Sequence, residues 1–452
     1  MEHVANFGRS LGLDTYVDKV GNIIIRKPAT KGMESRKGII LQGHLDMVPQ
    51  KNSGTNHNFE SDPIQAYIDS DWAKANGTTL GADNGIGVAA AMAVLEDSSL
   101  KHGPIEALFT IDEETGMTGA FALEPNKLNG DILINLDSED EGELYVGCAG
   151  GLDANVSFQH IAQPTPNGFK FIRVSITGLK GGHSGLDINK GRANAIKLLA
   201  RLIYVAGREV EIRISSLEGG SLRNAIPREA YIDIGVQQDQ MARLKGITEQ
   251  QKEIFAEEFA AVETNIKVQV ENIDTPEQVM DSTSQSNIIR ALFGCPNGVI
   301  RMSDAMPGLV ETSTNLARAF TLNGETNIQC LLRSSVDSAK EALANKMEAV
   351  FELAGANIAF GGAYPGWRPN MESGILKVMQ AVYKEHFGIT PEVKGIHAGL
   401  ECGILGGIYP KLDMISFGPT IRNPHSPDEM VRIDTVEKFW RFLVLTLENA
   451  PD

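Results

Sequence analysis

Four short runs in the first third of the chain are apolar almost without interruption: "GNIIIRK" (21–27), "GIILQGHLDMV" (38–48), "IEALFTIDE" (105–113) and "DILINLDSED" (131–140). A half-exposed strand alternates apolar and polar residues, whereas a strand that is apolar throughout has to be covered on both faces. Among these runs, "GIGVAAAMAVLED" (85–97) has the length and spacing of a helix. Buried strands separated by helices predict an α/β sheet with helices on either side. Such a sheet binds ligands in the crevice beyond the carboxyl ends of its strands, so the loops that leave these runs are where chemistry belongs.

The rhythm breaks at the glycine-rich "YVGCAGGLDANVSF" (145–158). Beyond it, "FKFIRVSITGL" (169–179) and "EVEIRISSLEGG" (209–220) alternate as half-exposed antiparallel strands do, and 245–265 has helical spacing. Segments 169–236 and 266–355 share a loose pattern of strands interrupted by a helix, without a residue-level repeat. A second joint, "GGAYPGWRPN" (361–370), precedes renewed alternation of helix and strand. The expectation is an α/β domain built from both chain ends, 1–150 and 364–452, with an α+β lid domain, 151–363, inserted between them. A chain of 452 residues is long enough for two cores.

Net charge is −17 and no Lys/Arg-rich run occurs, which argues against nucleic-acid or anionic-membrane partners. The four cysteines are scattered with no CxxC pair, as expected of reduced thiols in a cytoplasmic protein. The longest apolar run, "GVAAAMAVL", is too short to span a bilayer, and the start has no signal-like apolar region.

Five stretches, all read as lying at the ends of apolar strands, concentrate histidines and carboxylates: "GHLDMVP" (His44, Asp46), "GADNGIG" (Asp83), "IDEETG" (Glu113, Glu114), "NLDSED" (Asp137) and "NPHSPDE" (His425). Each alone reads as an ordinary solvated loop. Their convergence on one kind of position points to a site of nitrogen and oxygen donors without thiolate, suited to zinc, with manganese or cobalt as substitutes. Five ligands hold two cations, about 3.5–4 Å apart, when one carboxylate bridges them. "GADNGIGVAA" also matches the outline of a dinucleotide-binding turn, which would make the chain a nicotinamide oxidoreductase. However, the residues before it are polar and turn-like, and the acid about 20 positions on, Glu106, opens a strand rather than ending one.

Together with "LQGHLDMVPQKN", "GCAGG", "LKGGHSG", "LRNAIPREA", "GAYPGW", "HAGLECG" and "GPTIRNPHSPDE", these motifs resemble the M20 metallopeptidases, specifically the aminoacyl-histidine dipeptidase branch, over essentially the whole chain. That branch carries a longer lead-in before "VGNIIIRK". The resemblance implies His44 and Asp137 on one metal, Glu114 and His425 on the other, and Asp83 bridging, with a cis peptide at Asp83–Asn84. It implies Glu113 as general base and Asp46 as the residue orienting His44. It further implies His183, in the inserted domain, as oxyanion stabiliser, and Asn224, Arg333 and Glu401 as substrate-binding groups, Glu401 for the free amino group. Asp112 receives no role from the motif and reads as a solvated or supporting residue.

The implied activity is hydrolysis of dipeptides, including Xaa-His types such as β-Ala-His, by two divalent cations, Zn2+ foremost with Mn2+ or Co2+ as substitutes. A homodimer is expected. An N-acyl amino-acid deacylase or carboxypeptidase of the same family would use the same metals, and a catalytically dead binding protein is the remaining contrast.

Overall fold

The structure, a computed structural model, describes all residues from Met1 to Asp452. The chain folds as two compact units, one of Met1–Cys148, Trp367–Ile396 and Leu400–Asp452, the other of Ala149–Gly366 and His397–Gly399. The mixed α/β, two-domain architecture expected from the sequence is the one observed. The return of His397–Gly399 to the second unit left no signal in the sequence.

In chain order the first unit contributes α1 (Glu2–Ser10), β1 (Asp14–Val17), β2 (Ile23–Lys27), β3 (Ile39–His44), α2 (Ala82–Glu96), β4 (Ile105–Thr110), β5 (Ile132–Asn135) and β6 (Glu143–Cys148). The second unit follows with β7 (Gly150–Gln159), β8 (Phe169–Thr177), α3 (Ala195–Ala206), β9 (Ile212–Gly219), β10 (Ala230–Gln237), α4 (Met241–Glu258) and β11 (Lys267–Asn272). It ends with α5 (Ser282–Gly294), β12 (Val310–Leu322), β13 (Glu325–Ser334), α6 (Asp337–Leu353) and β14 (Asn357–Tyr364). The chain then completes the first unit with α7 (Gly374–Phe387), β15 (Glu392–Ile396), α8 (Glu401–Ile408), β16 (Asp413–Ser416) and α9 (Ile433–Glu448).

The first unit's main sheet has the order β1-β2-β4-β3-β5-β16-β6-β15. Its central strands β4, β3, β5 and β16 run parallel. Every residue of β3, β4 and β5 is buried, which is why their sequences lack alternation. Parallel neighbours present their carboxyl ends at one edge, so the loops after β3, β4 and β5 emerge together. A separate four-stranded sheet pairs Ile421–Arg422 with Met430–Arg432, and the latter with Trp72–Ala75. That pairing fixes the base of the loop carrying His425. Helices α7 and α9 pack against each other, with Tyr383, Phe387 and Phe442 in mutual ring contact between them.

The second unit's sheet has the order β11-β8-β10-β9-β12-β13-β7-β14, with Gly298–Met302 pairing beside β12. It is built from two copies of one pattern, strand–helix–strand–strand–helix–strand. The first copy is β8-α3-β9-β10-α4-β11 and the second is β7-α5-β12-β13-α6-β14. Their spatial orders mirror each other about the β9–β12 junction, which holds only the pairs Glu218↔Phe320 and Gly219↔Ala319. The loose likeness of 169–236 and 266–355 has a structural basis, but with different limits. Strand β11 closes the first copy rather than opening the second, whose own first strand, β7, lies upstream of the first copy.

The glycine-rich break at 145–158 is also not a loop. Its residues belong to β6 and β7, one residue apart in sequence, and its glycines answer to crowding: a Cβ at Gly150 would lie 2.4 Å from the Tyr364 carbonyl oxygen. No helix is long and apolar enough to cross a membrane. The four cysteines are buried thiols.

Candidate active site

His44 is the last residue of β3, Asp137 lies two residues beyond β5, and Glu113 and Glu114 open a short turn of helix after β4. Asp83 stands not at a strand end, as expected from the sequence, but at the start of α2, where Gly81 (φ +75°) turns the chain and the Asp83–Asn84 peptide is cis. The second glycine of "GIG", Gly87, serves close packing, since a Cβ there would sit 2.4 Å from the Leu136 carbonyl oxygen. The strand preceding this turn, Trp72–Ala75, belongs to the separate small sheet, so the strand–turn–helix unit required for dinucleotide binding is not formed.

These side chains meet. His44 Nε2 is 3.2 Å from Asp83 Oδ1 and 3.2 Å from Asp137 Oδ1. On the other side, His425 Nε2 is 3.3 Å from Asp83 Oδ2 and 2.9 Å from Glu114 Oε2. Asp83 therefore presents one carboxylate oxygen to each histidine. Donor atoms of His44, Asp83 and Glu114 all lie within 4.8 Å of one another.

Asp46 faces its own backbone surroundings. Its Oδ1 accepts from the Glu113 amide and its Oδ2 from the Glu114 amide, both at 3.1 Å, while its carbonyl lies 3.0 Å from His44 Nδ1. The one residue thus ties the turn bearing both glutamates to the histidine ring. Asp112, in a left-handed conformation (φ +56°), accepts from the hydroxyls of Thr115 and Thr118 and so fastens the same turn.

Protonation follows from burial and charge. Burial pushes Glu113 up to about 7, with Glu401 and Glu114 nearby adding to the effect against the pull of His44. Burial likewise raises Asp137 to about 7 and Glu139 to about 8. Hydrogen bonds to Asp83 and Glu114 raise His425 to about 10. A concentration of carboxylates this dense is stable in its ionised form only beside positive charge.

The donor set fits divalent cations on structural grounds. Two imidazole nitrogens and three carboxylates converge with no thiolate, the composition suited to zinc or its first-row neighbours. Glu114 Oε1 and Asp137 Oδ1 are buried acceptors with no hydrogen-bond partner, although the latter lies close to His44. Such oxygens are rarely left unsatisfied, and cations would satisfy both.

Glu401, at the start of α8, is buried. Its Oε2 accepts from Thr110 Oγ1 at 2.7 Å and Gln42 Nε2 at 2.6 Å, which leaves only Oε1 unpartnered for the amino group expected from the sequence. The sequence reading missed a further residue, Glu429. Its buried carboxylate accepts four successive backbone N–H groups, from Leu80, Gly81, Ala82 and Asp83, at 2.7–3.2 Å. It stands four residues beyond His425, so one segment supplies a histidine to the cluster and clamps the loop that delivers Asp83.

The other expected site residues gather in the second unit. His183 and Ala225 pair in a two-residue ladder, and Ser184 N–H donates to the Asn224 carbonyl at 2.8 Å. Arg333, buried on β13, lies 3.2 Å from the Tyr364 hydroxyl through Nη1 and 3.4 Å from Ser184 Oγ through Nε. His183 Nδ1 accepts from the amides of Gly185 and Leu186 at 3.2 and 3.1 Å, which leaves the ring proton on Nε2 as a free donor. Burial and the Arg333 charge lower its pKa, so the ring is neutral near pH 7.

A two-unit α/β fold with a histidine–carboxylate cluster at the ends of parallel strands is the architecture of a metal-dependent hydrolase, and the chain belongs to peptidase family M20/M25/M40, whose model matches residues 40–449. It is 46% identical over 450 residues to the cytosol non-specific dipeptidase of Escherichia coli (strain K12), covering 100% of this chain and 93% of that protein. The crystal structure of aminoacylhistidine dipeptidase from Vibrio alginolyticus is 48% identical and superimposes with a TM-score of 0.96, covering 100% of this chain and 92% of that one. Aminopeptidase PepT from Bacillus cereus shares the fold at 17% identity, with a TM-score of 0.57 over 99% of this chain and 92% of that one.

Proposed function

We propose that the protein is a cytoplasmic metallo-dipeptidase that hydrolyses dipeptides, Xaa-His substrates such as β-Ala-His among them. The observation that carries this reading is Asp83, with one oxygen directed to each of two histidines beside a carboxyl, Glu113, whose pKa burial has brought to about 7. The likeness to two dipeptidases along nearly their full length supports the substrate class.

His44 and Asp137 would hold one divalent cation, Glu114 and His425 a second, and Asp83 both. Zn2+ is the ion we propose, with Mn2+ or Co2+ as substitutes. When bound, such cations polarise the scissile carbonyl and lower the pKa of water towards about 7. The remaining work falls to the chain. Glu113 takes a proton on its carboxylate from the attacking water and returns it to the leaving amine nitrogen, a role suited to a group that titrates near neutrality. Asp46 keeps Glu113 and Glu114 in register with His44. His183, held neutral with its proton on Nε2, donates to the carbonyl oxygen as negative charge develops there. Arg333 holds the substrate's terminal carboxylate through its planar fork, Asn224 its backbone, and Glu401 its free amino group. The working assembly is a homodimer, to be measured by light scattering.

The deciding experiment measures hydrolysis of Ala-His, β-Ala-His and two dipeptides without histidine against N-acetyl amino acids, before and after chelation. Dipeptide hydrolysis that chelation abolishes and Zn2+ restores supports the reading. Preference for the N-acetyl substrates replaces it with a deacylase.

A further inference from the structure

The second unit contains a cavity of about 460 Å³ that none of the roles above uses. It lies where the end of α3, the start of β9 and the first turns of α5 come together. Three arginines line it, Arg208, Arg213 and Arg290, with a single carboxylate, Glu211. Glu211 is already committed, its Oε1 lying 2.5 Å from Arg213 Nη2. The guanidinium groups of Arg208 and Arg290 make no hydrogen bond and no ion pair, so the cavity carries two uncompensated positive charges on a chain of net charge −17.

Helices α3 and α5 are equivalent in the two copies and pack together. Away from the cavity, Lys197 of α3 ties the two helices together, its Nζ donating to the carbonyls of Leu292, Phe293 and Cys295 at 2.6–2.8 Å. At the cavity, helix α5 contributes Gln285. That side chain turns to the backbone of β9, accepting from Ile214 N–H at 3.0 Å and donating to the Ile212 carbonyl at 2.7 Å.

The rest of the lining is divided. Ser282, Ser286 and Arg290 recur at helical spacing on α5 and offer hydroxyl and guanidinium donors along one face. The lining also holds apolar groups, Ile203 and Tyr204 from α3 and Ile289 from α5, with Tyr204 stacked on Phe293 at a ring-centroid distance of 5.0 Å. The volume falls within the usual range of small-molecule sites, about 300–1,000 Å³. Arginine is the side chain that recognises phosphate and carboxylate by paired N–H donors, and an apolar flank beside it suits a flat organic body.

We propose that this cavity binds a small organic phosphate of mononucleotide size, its phosphate held by Arg208 and Arg290 with the α5 serines and its flat body against Tyr204 and Ile289. The inference is independent of the dipeptidase reading.

Calorimetry on the full-length, metal-loaded protein tests it with AMP, adenosine and inorganic phosphate as probes. AMP is expected to bind more tightly than either fragment. The double variant Arg208→Gln/Arg290→Gln, which alters two exposed side chains, should weaken AMP binding by about tenfold or more. Its melting temperature and dipeptide hydrolysis without AMP should be unchanged. Each single variant should lie between, so a double variant that failed to fold would still leave the test in place. Absence of AMP binding at millimolar concentration, or undiminished binding by the single and double variants, overturns the proposal. So does adenosine or inorganic phosphate binding as tightly as AMP.

Discussion

Asp83 and Glu113 divide the proposed chemistry between them, and substitution separates their duties. Glu113 donates no side-chain bond to the cluster, so Glu113→Gln should keep metal content near wild type while reducing dipeptide turnover by about 10²–10⁴, the usual worth of a positioned acid–base group. Elemental analysis and turnover on the same sample check both halves, and normal turnover would falsify the base assignment. Asp83→Ala removes both oxygens that face the histidines, so bound metal should fall below two equivalents per chain. Full occupancy in that variant removes Asp83 as a bridge. Of the three consecutive carboxylates at 112–114, the sequence alone distinguished Asp112 only by leaving it without a role. Its function in the turn depends on two threonine hydroxyls, Thr115 and Thr118, whose convergence requires the left-handed backbone that the sequence does not announce.

The loop from Leu80 to Asp83 depends on a partner far along the chain. Four backbone N–H groups point at the Glu429 carboxylate, and replacing it by alanine leaves them buried without an acceptor, at about 1–3 kcal/mol for each that water fails to reach. Glu429→Ala should lower the melting temperature and weaken metal binding by roughly 10–100-fold, the effect expected when a support of metal ligands is lost. Glu429→Gln should not rescue either property, because one of its two acceptor atoms becomes a donor facing other donors. A Gln variant with wild-type metal affinity would show that the clamp does not position Asp83. Strands β3, β4 and β5 were legible because burial on both faces leaves an unbroken apolar run. Glu429 was not, since an acceptor for backbone amides has no spacing rule, and any exposed acidic loop looks the same in sequence. The short strands that anchor the His425 loop were missed for a related reason: two or three residues are too few to carry a period.

In the molecule as a whole, the duplication inside the second unit was only half visible. Its copies share topology and not residues, and one copy interrupts the other, so no fixed sequence period exists to detect. The chain's brief return at His397–Gly399 was likewise invisible, yet it places a histidine where stability becomes pH-dependent. His397 is buried beside Ser313, whose Oγ lies 2.7 Å from its Nε2, and its Nδ1 has no partner. Burial first, and then the positive charge of Arg333, push its pKa down to about 3. The unfolded chain binds a proton at His397 from about pH 6.5 downward, whereas the folded chain does so only near 3. Between those values the unfolded state holds more protons, so stability rises with pH. The contribution is fully present above 6.5 and is lost by about 1.4 kcal/mol for each unit of pH below it, until the folded state also titrates. Denaturant melts of wild type and His397→Gln at pH 7 and pH 5.5 isolate this part, because the other histidines titrate equally in both proteins. Wild type should lose about 1 kcal/mol more than the variant over that interval. Equal losses would mean that His397 accepts a proton in the folded protein as readily as in the unfolded chain, and that the charge of Arg333 is screened from it.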